Sequence, residues 1–208
     1  MDVIFVDNHL LVVNKPAALA TQPHGPGVEN LTDQAKAWVK RTYAKPGNVF
    51  LEPIHRLDKP VSGLVLFART SKALSRLQEK MRARAFVKTY YALVDPMPKN
   101  LSGHLEHYLV HDEYRARVVT ASHPQGKRAR LSYKVIEDAL LEIDLETGRY
   151  HQIRAQFAQE GCPIIGDVKY GSTTSWKKAG IALHHGKLSA PHPITQEHLL
   201  FTCAPPWN

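Results

Sequence analysis

Apolar residues recur along this chain with two different periods, and the period separates strands from helices. Val3–Val6 and Leu10–Val13 are short apolar runs around the polar Asp7-Asn8-His9, a pattern that predicts a β-hairpin. From Leu31 to Tyr43 the apolar Leu31, Ala35, Trp38 and Val39 fall at helical spacing, with Thr32 as the expected N-cap. A second helix is predicted from Ser71 to about Arg84, with Leu74, Leu77 and Met81 on one face. Between the helices, Leu64–Ala68 is continuously apolar, as in a strand buried on both faces.

Strand-like segments dominate the second half: Val87–Val94, Arg115–Ala121, Ala129–Glu137 and Leu140–Leu145. A third helix is expected to begin near Thr147 or Gly148 and to end at Gly161, a suitable C′ glycine. Ile181–Leu183 and Leu199–Cys203 close the chain as two further strands. Many strands, about three helices and few β-α-β alternations make this an α+β chain. No repeat or long linker divides it, so one domain over residues 1–208 is expected.

Composition narrows the class. Hydrophobic residues make up 43% and charged ones 22%, as in an ordinary globular protein. No apolar run reaches the ~18 residues of a membrane span, and the first residues lack a secretory signal pattern. Two cysteines, Cys162 and Cys203, are too few for a disulfide framework, so a cytoplasmic setting is expected. Lys and Arg number 27 against 19 Asp and Glu, a formal charge of +8 that attracts polyanions such as RNA.

Three segments carry candidate chemistry. In His55-Arg56-Leu57-Asp58-Lys59-Pro60-Val61-Ser62-Gly63, Asp58 sits among cationic side chains that favour its ionised form. An ionised, sheltered carboxylate can act as nucleophile or base, although a solvated turn with a surface ion pair fits the same residues. In Glu146–Gln156, the pattern places Tyr150, His151 and Arg154 on one face of a helix start, suited to a carboxylate or phosphate or simply to solvent. In Lys88–Leu93, strand alternation sends Tyr90 and Tyr91 to opposite faces, one to the core and one free to stack on a base.

Taken in order, these segments resemble the RluA-type pseudouridine synthases. His55-Arg56-Leu57-Asp58 followed by Ser62–Ala68 is similar to the family signature, and Val12–Ala17 to its opening NKPAG segment. Lys88–Leu93 resembles KxYxAL, Thr147–Arg154 resembles TGRTHQIR, and Gly166–Gly171 resembles GDxxYG. Ile181–His185 with His192–Thr195 is similar to the closing LHA…HPxT pattern. Val61, Ala18 and Tyr150 depart from the usual Thr, Gly and Thr, without removing an ionisable group.

The resemblance implies a pseudouridine synthase fold, with a mixed, largely antiparallel central sheet and flanking helices. It implies isomerisation of uridine in ribosomal or transfer RNA, with a stem-loop target, and neither cofactor nor metal. It makes Asp58 the nucleophile, Arg154 the cation that pairs with it, and Tyr90 the ring that stacks on uracil or takes the C5 proton. Arg56 would fill the gap left by a flipped base, and His55 would prop the loop or touch RNA. The chain is expected to hold the catalytic domain as a monomer, without the S4-type RNA-binding domain found in many relatives.

Other features carry simpler readings. Lys127, Arg128 and Arg130 are candidate phosphate contacts in a hairpin, or a solvated loop. Lys177-Lys178 beside Trp176 is read the same way. His104, His107 and His111 lack the cysteines or helical face of a metal site. His184, His185 and His192 are expected to cap or pack. Gly25-Pro26-Gly27 is a turn and not a phosphate loop, since no Lys-Ser or Lys-Thr follows. Substrate choice is expected in the Thr21–Asn30 and Glu106–Arg117 loops. Two rivals are a catalytically silent RNA-binding protein and a histidine-based hydrolase; the carboxylate of Asp58 argues against the first, the missing ligand set against the second.

Overall fold

The computed structural model describes residues 1–23, 25 and 27–207. The first half holds β1 (Asp2–Val6), β2 (Leu10–Lys15), α1 (Leu31–Thr42), β3 (Glu52–Pro53), β4 (Ser62–Ala68), α2 (Ser71–Arg82) and β5 (Val87–Leu93). The second holds β6 (Ser102–Asp112), β7 (Arg115–Val119), β8 (Lys127–Glu137), β9 (Leu140–Leu145), α3 (Gln152–Gln159), a 3-10 turn (Val168–Tyr170), β10 (Leu183–Pro191) and β11 (His198–Thr202). Its contacts gather into two compact units, residues 1–87 with 185–206 and residues 88–184 with 207.

In the first unit β2 is flanked by β1 and β4, antiparallel to both, and Val13 stands opposite Val3 and Val65. β3 also pairs with β4, and β10 with β11, each antiparallel. The apolar run of β4 is buried along its whole length, as its composition requires. Leu64 and Leu66 share a core with Leu10, Val12, Leu188 and Phe201, and α2 covers it with Ala73 and Leu77. Fully burying a side chain such as Leu77 stabilises by about 1.5–3 kcal/mol.

In the second unit the strand order is β5-β9-β8-β6-β7, with antiparallel neighbours throughout. Ala155 of α3 packs on Leu109, Ala116 and Ala129 of this sheet, with Tyr170 at the edge of the cluster. The expected α+β class with largely antiparallel pairing is therefore present, and among the described residues no helix is long and apolar enough to cross a membrane.

Several local expectations are corrected. Asn30, not Thr32, caps α1, its side chain accepting from the Asp33 N–H at 3.0 Å. Thr32 instead donates to the Thr21 carbonyl at 2.7 Å, and a buried backbone acceptor outcompetes the cap role. α3 begins at Gln152, so Tyr150 and His151 precede the helix and do not share its first-turn face. His151 is left-handed, with φ 50°, and this delays the start of the helix past the expected Thr147 or Gly148. The C-terminal expectation holds: Gly161 (φ 74°) allows the Gly161 N–H to reach Ala158 O and the Cys162 N–H to reach Phe157 O.

Glu106–Arg117, expected as a loop, is mostly the β6–β7 hairpin, in which His111 stands opposite Ala116. The basic Lys127–Arg130 stretch opens β8, a strand of the antiparallel β8–β9 hairpin, and is not a solvated loop. Pro26 of the expected Gly25-Pro26-Gly27 turn, and His24 in the same Thr21–Asn30 loop, lie outside the described residues.

Candidate active site

The Asp58 segment joins β3 to β4, and its backbone is tied down from three sides. The Thr21 hydroxyl donates to Leu57 O at 2.9 Å and accepts from the Leu57 N–H at 3.1 Å. The Leu57 side chain is buried, and a turn closes behind Asp58 where the Val61 N–H donates to its carbonyl at 3.0 Å. On the far side, His55 Nε2 accepts from the Leu66 N–H at 3.3 Å, and its ring stands edge-on to His185 at 5.2 Å. Gly63 follows with φ 118°, and a methyl there would overlap the His185 backbone, so only glycine fits. The consequence is a half-buried Asp58 between an exposed Arg56 and an exposed Lys59.

The third tie is a lysine. Lys15 has no exposed surface, and its ammonium donates to Leu19 O at 2.6 Å, Pro16 O at 3.0 Å and Lys59 O at 3.3 Å. Burial pushes its pKa down to about 8, and the negative charge of Asp58 pulls it part of the way back. The sequence shows Lys15 only as a charged residue closing the apolar run of β2. Its role comes from folding Pro16–Leu19 back over it, which local pattern does not reveal.

Arg154, in the first turn of α3, is almost fully buried and binds Asp167 bidentately, Nε at 2.6 Å and Nη2 at 2.9 Å. Its guanidinium lies 4.9 Å from the centre of the Tyr170 ring. The Tyr170 hydroxyl accepts from the Ala116 N–H at 2.7 Å and meets His151 Nδ1 at 2.8 Å. Burial, with the Arg154 charge, pushes the His151 imidazole pKa down to about 3. Asp167 and Tyr170 lie in the Gly166–Gly171 segment, whose GDxxYG resemblance was the available signal.

Tyr90 lies in β5 opposite Ile143 and is 7% exposed, while Tyr91 is half-exposed and hydrogen-bonds Glu142 at 3.2 Å. Thr147, in the segment whose resemblance carries Arg154, accepts from the Arg130 N–H at 2.8 Å and donates to Gln152 Oε1 at 2.8 Å, fixing the turn that precedes α3.

The candidate phosphate contacts differ among themselves. Arg128 is bound to Glu106 by two 2.8 Å hydrogen bonds, and Arg130 pairs with Glu146 at 3.2 Å, all on the surface. Lys127 is exposed at the start of β8. His104, His107 and His111 are not brought together: His107 meets Gln156 and Glu160, both at 3.1 Å, and His111 stacks on Tyr150. Among the described residues no group of three His, Cys, Asp or Glu side chains could hold a metal ion. His184 and His185 are fully buried, and His192 accepts from the Thr195 N–H at 3.0 Å while its Nε2 meets Asp7 at 2.9 Å. They pack and cap.

Comparison with known proteins gives this geometry a context. Residues 9–159 match the family model described as RNA pseudouridylate synthase. The chain is 32% identical over 203 residues to the uncharacterized RNA pseudouridine synthase YhcT of Bacillus subtilis, covering 95% of this chain and 66% of that one. It is 33% identical to the dual-specificity RNA pseudouridine synthase RluA of Pasteurella multocida, covering 99% of this chain and 93% of that one. It also spans 69% of the ribosomal large subunit pseudouridine synthase D of Zymomonas mobilis, at 32% identity. Among solved structures, human RNA pseudouridylate synthase domain containing 4 shares the fold, with a TM-score of 0.82 at 23% identity over 99% of this chain and 89% of that one. With the signature segments held as described, the chain belongs to the RNA pseudouridylate synthase family, as an RluA-type member.

Proposed function

We propose that this chain isomerises uridine to pseudouridine in structured RNA, with Asp58 as the nucleophile. The observation that carries the reading is the fixing of the Asp58 loop. Thr21, Lys15 and His55 each grip a different part of it, so the carboxylate is positioned before any substrate arrives. In the reaction the C1′–N1 bond breaks, the uracil turns, and C5 bonds to C1′. The C5 proton is lost and N1 gains one, so the change is balanced and needs no oxidant, reductant or cofactor. A carboxylate suits it, by covalent addition or by stabilising positive charge at C1′.

Tyr90 and Arg154 take the roles the resemblance gives them: stacking on the uracil, and support for the anionic nucleophile. Phenols in general hold their proton at neutral pH, which favours stacking over proton transfer. Arg56, exposed beside Asp58, enters the space of the flipped nucleotide, and a guanidinium can both stack there and hydrogen-bond the orphaned partner base. Lys127 contacts phosphate, and Arg128 and Arg130 exchange their surface carboxylates for phosphates when RNA binds. His55 supports the loop beside the RNA.

The substrate is a stem-loop of ribosomal or transfer RNA, in keeping with relatives named for the large ribosomal subunit and for dual specificity. The working form is a cytoplasmic monomer without metal. The test is pseudouridine mapping of cellular RNA by carbodiimide labelling, with and without the gene. Loss of one or a few sites, restored by wild type and not by Asp58→Asn, is the expected result. An Asp58→Asn protein that still forms pseudouridine would overturn the assignment.

A further inference from the structure

Three aromatic rings stand in a column on the surface of the second unit. Tyr150 lies on His151 at 3.8 Å between centroids, with the planes 18° apart. His111 of β6 approaches Tyr150 at 4.1 Å, tilted by 43°. His151 is 8% exposed, whereas Tyr150 is 40% exposed and His111 is exposed too. The column thus has a buried foot and an exposed head.

Its foot is rigid. His151 is held by the Tyr170 hydroxyl, and Tyr170 by the Ala116 N–H and by the Arg154 guanidinium against its ring. Arg154 in turn is clamped by Asp167. A core stack would be covered by apolar neighbours, but this one ends in solvent. A cation lies close by: Lys169, adjacent to Tyr170 and acting electrostatically on His151, donates to the Tyr114 carbonyl at 2.9 Å at the tip of the β6–β7 hairpin. Stacked rings beside a cation are what an unpaired nucleic-acid base needs, since every base has a π-face and its phosphate is anionic.

We propose that the His111–Tyr150–His151 column is a stacking subsite for one unpaired RNA base other than the target uridine. Tyr150 makes the subsite a property of this chain, because the segment it resembles carries a threonine there, and a threonine has no face to stack on. The rigid foot links the subsite to Arg154, so a base seated on the column also fixes the RNA relative to that residue. The proposal rests on the RNA-modifying reading and deepens it by naming a determinant of substrate choice.

The test uses the full chain and a fluorescein-labelled RNA hairpin with a uridine-rich loop, prepared as a set in which each loop base in turn is abasic. Binding and pseudouridine formation are both measured. At one loop position, removing the base should weaken wild-type binding by about 5- to 150-fold, the range of a single base–aromatic stack. Tyr150→Ala and Tyr150→Thr should bind the intact hairpin that much more weakly, with KM raised more than kcat is lowered. Neither variant should respond further to the abasic change. Tyr150→Phe should behave as wild type, because only the ring is needed, and thermal stability should be unchanged across the set.

Equal sensitivity to the abasic series in wild type and Tyr150→Ala would overturn the subsite and leave the enzymatic reading standing. Wild type that binds with the Tyr150-dependent pattern but never forms pseudouridine would sustain the subsite and overturn the activity. Absence of RNA binding altogether would overturn both.

Discussion

Replacing Lys15 by Met removes a buried cation, and the structure sets the size and sign of the effect. The Lys15 ammonium has a pKa pushed down to about 8 by burial, against 10.5 for an exposed lysine. Each pKa unit is worth about 1.4 kcal/mol, so holding the charge in the fold costs about 3 kcal/mol wherever both states are protonated. Below about pH 8 that cost is fully present. Between about pH 8 and about pH 10 the folded amine has lost its proton while the unfolded one keeps it, so the unfolded state binds more protons and stability rises with pH. Wild type should therefore gain about 2 kcal/mol relative to Lys15→Met between about pH 7 and about pH 10. Urea unfolding of both proteins at the two pH values measures it, and other titrating groups cancel in the difference. At neutral pH the variant also orphans the carbonyls of Pro16, Leu19 and Lys59, at about 1–3 kcal/mol each, which the lost burial cost partly offsets. A stability difference that stays flat with pH would refute the reasoning, since it would mean that Lys15 is solvated or neutral in the fold.

Asp167→Asn removes the carboxylate that the buried Arg154 binds through Nε and Nη2, and breaking such a pair costs about 3–5 kcal/mol. Thermal denaturation should show a large drop in Tm, and an unchanged Tm would mean that the pair is open to water. Thr21→Val keeps the side-chain volume but strips both hydrogen bonds from Leu57, at about 1–3 kcal/mol. Steady-state kinetics of that variant should show kcat falling with KM nearly unchanged, because the loop that carries Asp58 loosens while the RNA-binding surface is untouched; full activity would show that the loop is held by its other ties alone.

The periodic elements were legible because their pattern reports burial directly. β4 reads as a doubly buried strand from five consecutive apolar residues, and α2 from Leu74, Leu77 and Met81, since each pattern has one low-energy solution. The helix starts were not. Thr32 looks as good a cap as Asn30 until the Thr21 carbonyl, eleven residues away, claims its hydroxyl. α3 starts late because His151 takes a left-handed turn, held by a hydroxyl nineteen residues on. The hairpin of β6 and β7 was half missed because β6 carries His104, Glu106 and His107 among its apolar residues, and exposed strand faces look like loops in sequence. Asp58, Tyr90 and Arg154 are proposed from short motifs that name chemistry. Lys15, Thr21, Asp167 and Tyr170 act by holding those residues or their loops, and their partners lie far along the chain, where no local pattern points.

The two buried cations do different work, and the difference lies in what they bind. Arg154 faces Asp167, so the pair carries no net charge, and its value is a guanidinium plane fixed in place. Lys15 faces three neutral carbonyls, so its charge is uncancelled by the groups that hold it. That surplus charge acts on Asp58, the carboxylate whose field raises the Lys15 pKa, and the interaction is mutual: the ammonium that Asp58 stabilises stabilises the Asp58 anion in return. An anionic nucleophile in a loop punctuated by prolines and anchored at Leu57 needs geometry and charge together. Thr21 supplies only geometry; Lys15 supplies both, through its bond to Lys59 O and through its charge. A conservative Lys15→Arg change restores the charge but must fit a planar fork where a point donor sat among three carbonyls, so it should recover the electrostatic support of Asp58 and not the loop geometry. Comparison of Lys15→Arg with Thr21→Val therefore separates the two contributions: the first should keep the ionisation profile of the reaction and lower its rate, and if it shifts the profile as Lys15→Met does, charge is not what Lys15 gives to Asp58.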